Sequence, residues 1–70
     1  MSVYKIVELV GTSPNNWHEA AANAVQQAST TLRNLRVAEI SELDIALDDS
    51  DPPVMTYRAK VKLSLKYEGS

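Results

Sequence analysis

A chain of 70 residues makes one small domain, and a domain of that size buries only ~60% of the surface its unfolded form exposes. With no cysteine it has neither disulfides nor thiolate metal sites to steady so small a core, which leaves association with copies of itself as the expected remedy. A net charge of -2 and a pI near 5.2 argue against the clustered positive charge that nucleic acid or an anionic membrane would need.

Behind Met1-Ser2-Val3-Tyr4-Lys5 there is no long apolar run, and nothing approaches the ~20 apolar residues of a membrane span. A soluble, cytoplasmic protein is expected. Tyr4 to Val10 is rich in β-branched and aromatic residues and reads as a short strand stopping at Gly11, with apolar groups on both faces. Thr12 or Ser13 is then expected to cap a helix, with Pro14 at its first position.

Trp17, Ala21, Ala24, Ala28 and Leu32 trace one stripe of a helix running from Pro14 to about Arg33. Because most of that stripe is alanine, the helix can lie close on a sheet, and Trp17 and Leu32 should carry much of the packing at its two ends. Two long extended runs follow, Leu35 to Asp48 and Met55 to Tyr67, flanking the turn-forming Asp49-Ser50-Asp51-Pro52-Pro53.

In the last run Met55, Tyr57, Ala59, Val61, Leu63, Leu65 and Tyr67 alternate with polar residues, so one face is core. The preceding run changes phase: Ala38 and Ile40 fall in one set, and Leu43, Ile45 and Leu47 in the other. A β-bulge near Ser41-Glu42 would put all five on the helix side and turn Val37 and Glu39 away from it. In that register Asp44 lies near Arg58, Glu42 near Lys60 and Glu39 near Lys62, each pair of opposite charge. The fold class is α+β, as β-α-β-β: a three-stranded antiparallel sheet wrapped around one long helix. Its open edges and second face call for self-association.

Chemistry-bearing residues are sparse. One histidine, His18, and no cysteine exclude a nucleophilic triad or a multi-histidine metal site within one subunit, so no enzyme is expected. Gly11-Thr12-Ser13 lacks the lysine and further glycines of a phosphate loop. Asp48, Asp49 and Asp51 lack the spacing and central glycine of a calcium loop and read as a solvated turn. Glu42 and Asp44 form a second acidic pair, which copies meeting at a symmetry axis could turn into an ion site. Trp17 offers an aromatic face for a ring-shaped ligand, but its place on the alanine stripe makes it core first.

Tyr4-Lys5-Ile6-Val7-Glu8-Leu9-Val10-Gly11-Thr12-Ser13, Ala20-Ala21-Ala22-Asn23-Ala24, Thr31-Leu32-Arg33-Asn34-Leu35, Ala38-Glu39-Ile40 and Thr56-Tyr57-Arg58 together resemble the dodecins, small flavin-binding proteins that assemble as hollow homododecamers built from trimers. The resemblance covers nearly the whole chain and implies the same β-α-β-β architecture. It also implies where a flavin would sit. Flavin-binding dodecins carry a stacking tryptophan at the position of Val37 and a glutamine at that of Arg58. Valine has no aromatic face, and arginine cannot accept hydrogen bonds as an amide does.

Valine and arginine at these positions are similar to the calcium-dodecin branch, associated with calcium rather than flavin. Related dodecins place an acidic residue at the position of Glu42, lining ion sites near symmetry axes, so the resemblance makes Glu42 the first candidate metal ligand and Asp44 the second. The implied function is storage or buffering of a small ligand or ion, calcium favoured. A riboflavin or FMN store and a purely structural assembly are the alternatives.

Overall fold

Four segments carry the regular structure: β1 (Tyr4–Ser13), α1 (Trp17–Ser29), β2 (Leu35–Leu47) and β3 (Met55–Lys66). The computed structural model describes residues 2–67. The strands form one antiparallel sheet in the order β1-β3-β2, so the cleanly alternating segment, β3, takes the centre and pairs on both sides. This is the expected α+β arrangement. No helix is long and apolar enough to cross a membrane among the described residues.

The helix lies directly on the strand at Gly11. A Cβ built there would lie 2.0 Å from the carbonyl oxygen of Ala20 and 2.9 Å from the Cβ of Ala24, distances no side chain can occupy. The strand therefore does not stop at Gly11; it passes under the helix and ends at Ser13. Above it Ala20, Ala21, Ala24 and Ala28 are buried against Ala59, Val61 and Leu63. Ala20 is fully covered although it falls beside the stripe read from spacing, because small residues on both elements let the backbone itself come into contact.

The helix is shorter than expected at both ends. Asn16, not Thr12 or Ser13, is the N-cap, its Oδ1 accepting from the Glu19 amide at 2.7 Å, and Pro14 lies in the strand-to-helix turn. Ser13 is instead buried at the end of β1, donating its hydroxyl to the Glu19 carboxylate and accepting from the Asn15 amide at 2.9 Å. At the other end the Ser29 and Thr30 hydroxyls donate to the Gln26 and Gln27 carbonyls, both at 2.7 Å. These hydroxyls compete with helical hydrogen bonding, so the helix ends before Leu32 and Arg33 are reached. Asn34 then takes a positive φ of 61°, which turns the chain into β2.

The register shift between Ile40 and Glu42 is the bulge expected from the parity change, and the Ser41 hydroxyl donates across it to the Lys60 carbonyl at 3.3 Å. A second shift, between Leu35 and Val37, was not legible from parity. Ala38, Ile40, Leu43, Ile45 and Leu47 stand opposite Leu63, Val61, Ala59, Tyr57 and Met55, on the helix-side face as expected. The helix does not reach them. Thirteen helical residues span ~20 Å, whereas thirteen strand residues span ~40 Å. The hairpin therefore runs past the helix in a molecule 55 × 20 × 17 Å, leaving Ile40, Leu43, Ile45, Leu47 and Met55 exposed.

Gly11→Ala should lower the thermal midpoint of the protein, because overpacking a closed contact costs roughly 1–3 kcal/mol per subunit. Thermal denaturation followed by circular dichroism measures it, and an unchanged midpoint would show that helix and strand are not in contact there.

Candidate functional site

The face of the sheet turned away from the helix carries the polar members of all three strands. Their pairing sets out rows: Ile6, Ser64 and Val37; then Glu8, Lys62 and Glu39; then Val10, Lys60 and Glu42; then Thr12, Arg58 and Asp44. Arg58, Lys60 and Lys62 of central β3 thus each have a carboxylate on β2 beside them, as the alternation and the bulge together require. Four carboxylates face three cations across these rows.

The pairs differ in how firmly they close. Arg58 binds Asp44 with two parallel hydrogen bonds, Nε to Oδ1 at 2.6 Å and Nη2 to Oδ2 at 2.9 Å, so both carboxylate oxygens are engaged. Lys60 holds Glu42 through Oε1 alone, at 3.2 Å. Hydrogen bonding from Arg58 holds the Asp44 carboxyl below its ordinary range against an opposing desolvation, with smaller contributions from the charges of Arg58 and Lys60. Asp44 in turn raises Arg58, and Glu42, helped at longer range by Glu8, raises Lys60. All four groups are solvated, so these pairs set orientation more than stability.

Of the four site residues expected from sequence, the fold gathers Glu42, Asp44 and Arg58 and leaves Val37 apart. Glu42 and Asp44 stand on neighbouring rows of one face, ~7 Å apart along the strand. Val37 pairs with Ser64 and Arg58 lies six residues away along β3, so they are ~20 Å apart in one chain. No single flavin ring can touch both within a subunit. Val37 is 57% exposed and lines a cavity of about 180 Å³ with Val25, Leu35, Arg36, Ala38 and Leu63. That is below the ~300–1,000 Å³ of most small-molecule pockets.

Trp17 does not fill the core. It is 36% exposed, meets Tyr57 edge to face with ring centroids 5.3 Å apart, and donates from Nε1 to the Asp44 carbonyl at 3.0 Å. It therefore braces β2 at the acidic pair, a role its place on the stripe did not reveal because the hairpin curls over the helix start. His18 is exposed. At the hairpin turn Asp48 Oδ1 accepts from the Ser50 and Val54 amides at 3.0 and 2.8 Å and from the Ser50 hydroxyl, so this acid closes the turn. Among the described residues no three histidine, cysteine or acidic side chains converge as a metal would require. Calcium takes six to eight oxygens, so an ion at Glu42 or Asp44 would need ligands from other copies or from water.

The dodecin family model matches residues 3–68. A calcium dodecin from Mycobacterium tuberculosis is 46% identical over 66 residues, covering 94% of this chain and 90% of the relative. The crystal structure of a calcium dodecin from that organism, described as calcium-chelating with a novel calcium-binding site, superposes with a TM-score of 0.84 at 43% identity, over 99% of this chain and 96% of that one. A dodecin from Streptomyces coelicolor superposes with a TM-score of 0.86 at 35% identity, over 99% and 96% of the two chains.

Because Arg58 lowers the folded pKa of Asp44 below its ordinary value of 3.8, the pair adds stability that is present above that value and lost as pH falls through the folded pKa. Asp44→Asn should therefore be less stable than wild type near neutrality, with the gap closing as pH drops below about 4. Denaturant midpoints measured across pH test this, and a gap that persists in acid would assign the loss to packing.

Proposed function

Because the chain belongs to the dodecin family, we propose that it is a non-enzymatic binding protein working as a homododecamer, which stores or buffers calcium and has lost or weakened flavin binding. The observation that carries this reading is the Asp44–Arg58 fork. A guanidinium held at two of its three nitrogens by its neighbour has no amide-like acceptor to offer a flavin ring edge, and valine at position 37 supplies no stacking surface.

Glu42 is the better ion ligand of the acidic pair. Its ion pair uses one oxygen, its side chain is 67% exposed, and a divalent cation competes with a single solvated lysine contact rather than with a bidentate fork. Copies placed around an axis would bring several Glu42 carboxylates together and complete the oxygen count that one chain lacks. Buffering requires no bond chemistry. The similarity to a protein named calcium dodecin supports calcium over other ions.

The apolar residues left bare along β2 and the hairpin supply the driving force for assembly. Ile40, Leu43, Ile45, Leu47, Val54 and Met55 form an exposed band too extensive for a stable isolated chain of this size. Light scattering should give a mass near that of twelve chains; a monodisperse monomer at micromolar concentration would refute the assembly. Titration calorimetry should show calcium binding that Glu42→Gln weakens severalfold, whereas riboflavin added to wild type should keep most of its fluorescence. Strong quenching of riboflavin, or calcium heats equal in both proteins, would overturn the reading.

A further inference from the structure

The end of the molecule opposite the acidic turn holds a groove that neither the acidic pair nor the flavin positions use. Its volume is about 530 Å³, within the ~300–1,000 Å³ of small-molecule sites. It is lined by Lys5, Arg33, Asn34, Leu65, Lys66 and Tyr67. We propose that this groove binds a small organic anion, with Arg33 and Lys5 taking the charged head and Leu65 and Tyr67 the apolar body.

The pairing register decides which side chains take part. Lys5 stands opposite Leu65 on the helix-side face, and Tyr67 follows with the same parity, so these three share the groove. Lys66 pairs with Tyr4 and belongs to the other face, so it contributes its backbone. Arg33 comes from the segment between α1 and β2. Its neighbour Asn34 is held in the left-handed region, and the Asn34 carbonyl accepts the Lys66 amide at 3.0 Å. The Tyr67 amide donates to the Val3 carbonyl at 2.7 Å. The walls are thus tied to the sheet on both sides, which gives the site a fixed shape before any ligand arrives.

Charge favours an anion. Among the described residues no carboxylate lines the groove, and the only ion pairs are Asp44–Arg58 and Glu42–Lys60, both distant from this end. The cations Lys5 and Arg33 line the groove, whereas Asp44, Asp48, Asp49 and Asp51 lie toward the other end of a 55 Å molecule. Mean composition hides this separation, since the chain as a whole is acidic. A buried Leu65 floor beside two cations rejects a fully solvated inorganic ion and suits a ligand with one charged and one apolar part.

Calorimetry on the assembled protein at low salt tests the assignment with benzoate, phenyl phosphate and the neutral benzyl alcohol as probes. At least one of the two anions should bind saturably and more tightly than the alcohol, the better of them naming the head group. Arg33→Ala and Lys5→Gln should each weaken that binding about tenfold, the effect of one charge-assisted contact, while Lys62→Gln on the opposite face leaves it unchanged. Arg33 lies four residues beyond the end of the helix and could instead serve only to hold the turn into β2. If that is the whole role of Arg33, its alanine variant will melt earlier yet bind the anion as wild type does, and the proposal fails. It fails equally if neither anion saturates, if the alcohol binds as well, or if Lys62→Gln matches the groove variants.

Discussion

Gly11 is the point at which helix and sheet meet backbone to backbone, and the rest of the architecture is arranged around that closeness. A helix resting on alanines with a glycine strand beneath it sits low on the sheet, and Ala20 and Ala59 are completely covered as a result. The cost is area. Alanine side chains remove little apolar surface from water, so the single-chain core rests on Val61, Leu63 and Leu65 with partial help from Leu9, Val25, Leu32 and Leu35. A core of that extent is marginal for 70 residues. The same close seating narrows the helix footprint, so that one helix covers β1 and β3 and leaves most of β2 bare beyond Leu35.

Two bulges reconcile the sheet with that helix. Each inserts one extra residue into β2, at the edge, while β3 keeps unbroken alternation at the centre. The shift at Ser41 keeps the apolar set of β2 on one face and also brings Glu42 and Asp44 into line with Lys60 and Arg58. One backbone irregularity therefore serves both the apolar face and the charge ladder. Moving the pairing by one residue would send both sets to the wrong faces.

Much of this was legible from residue types alone. The strict alternation of β3, the parity change in β2 and the three opposite-charge pairs specified the register, because side-chain direction in a strand depends only on position. The ends of the helix were not legible. Thr12, Ser13 and Pro14 form a plausible start, but the strand continues through them because Gly11 must lie under Ala20, and Asn16 with Glu19 three residues on then supplies the cap. At the other end the hydroxyls of Ser29 and Thr30 outweigh a periodicity that extended to Leu32. Trp17 illustrates a similar limit: helix spacing says which side it is on, but not that a strand 27 residues away curls over to accept its Nε1 proton.

The candidate site was legible in part for the same reason. Cross-strand neighbours follow from register, so Glu42, Asp44, Lys60 and Arg58 could be grouped before any coordinates. What register cannot supply is hydrogen-bond geometry, and here geometry separates two carboxylates that look equivalent. Asp44 faces a planar guanidinium that matches both its oxygens, whereas Glu42 faces a point-charge ammonium that engages one. A hard cation seeking oxygen ligands displaces the second contact more readily than the first, because less is lost and the freed lysine returns to water. The choice of arginine at 58 and lysine at 60 thus divides a uniform acidic edge into a braced carboxylate and an available one.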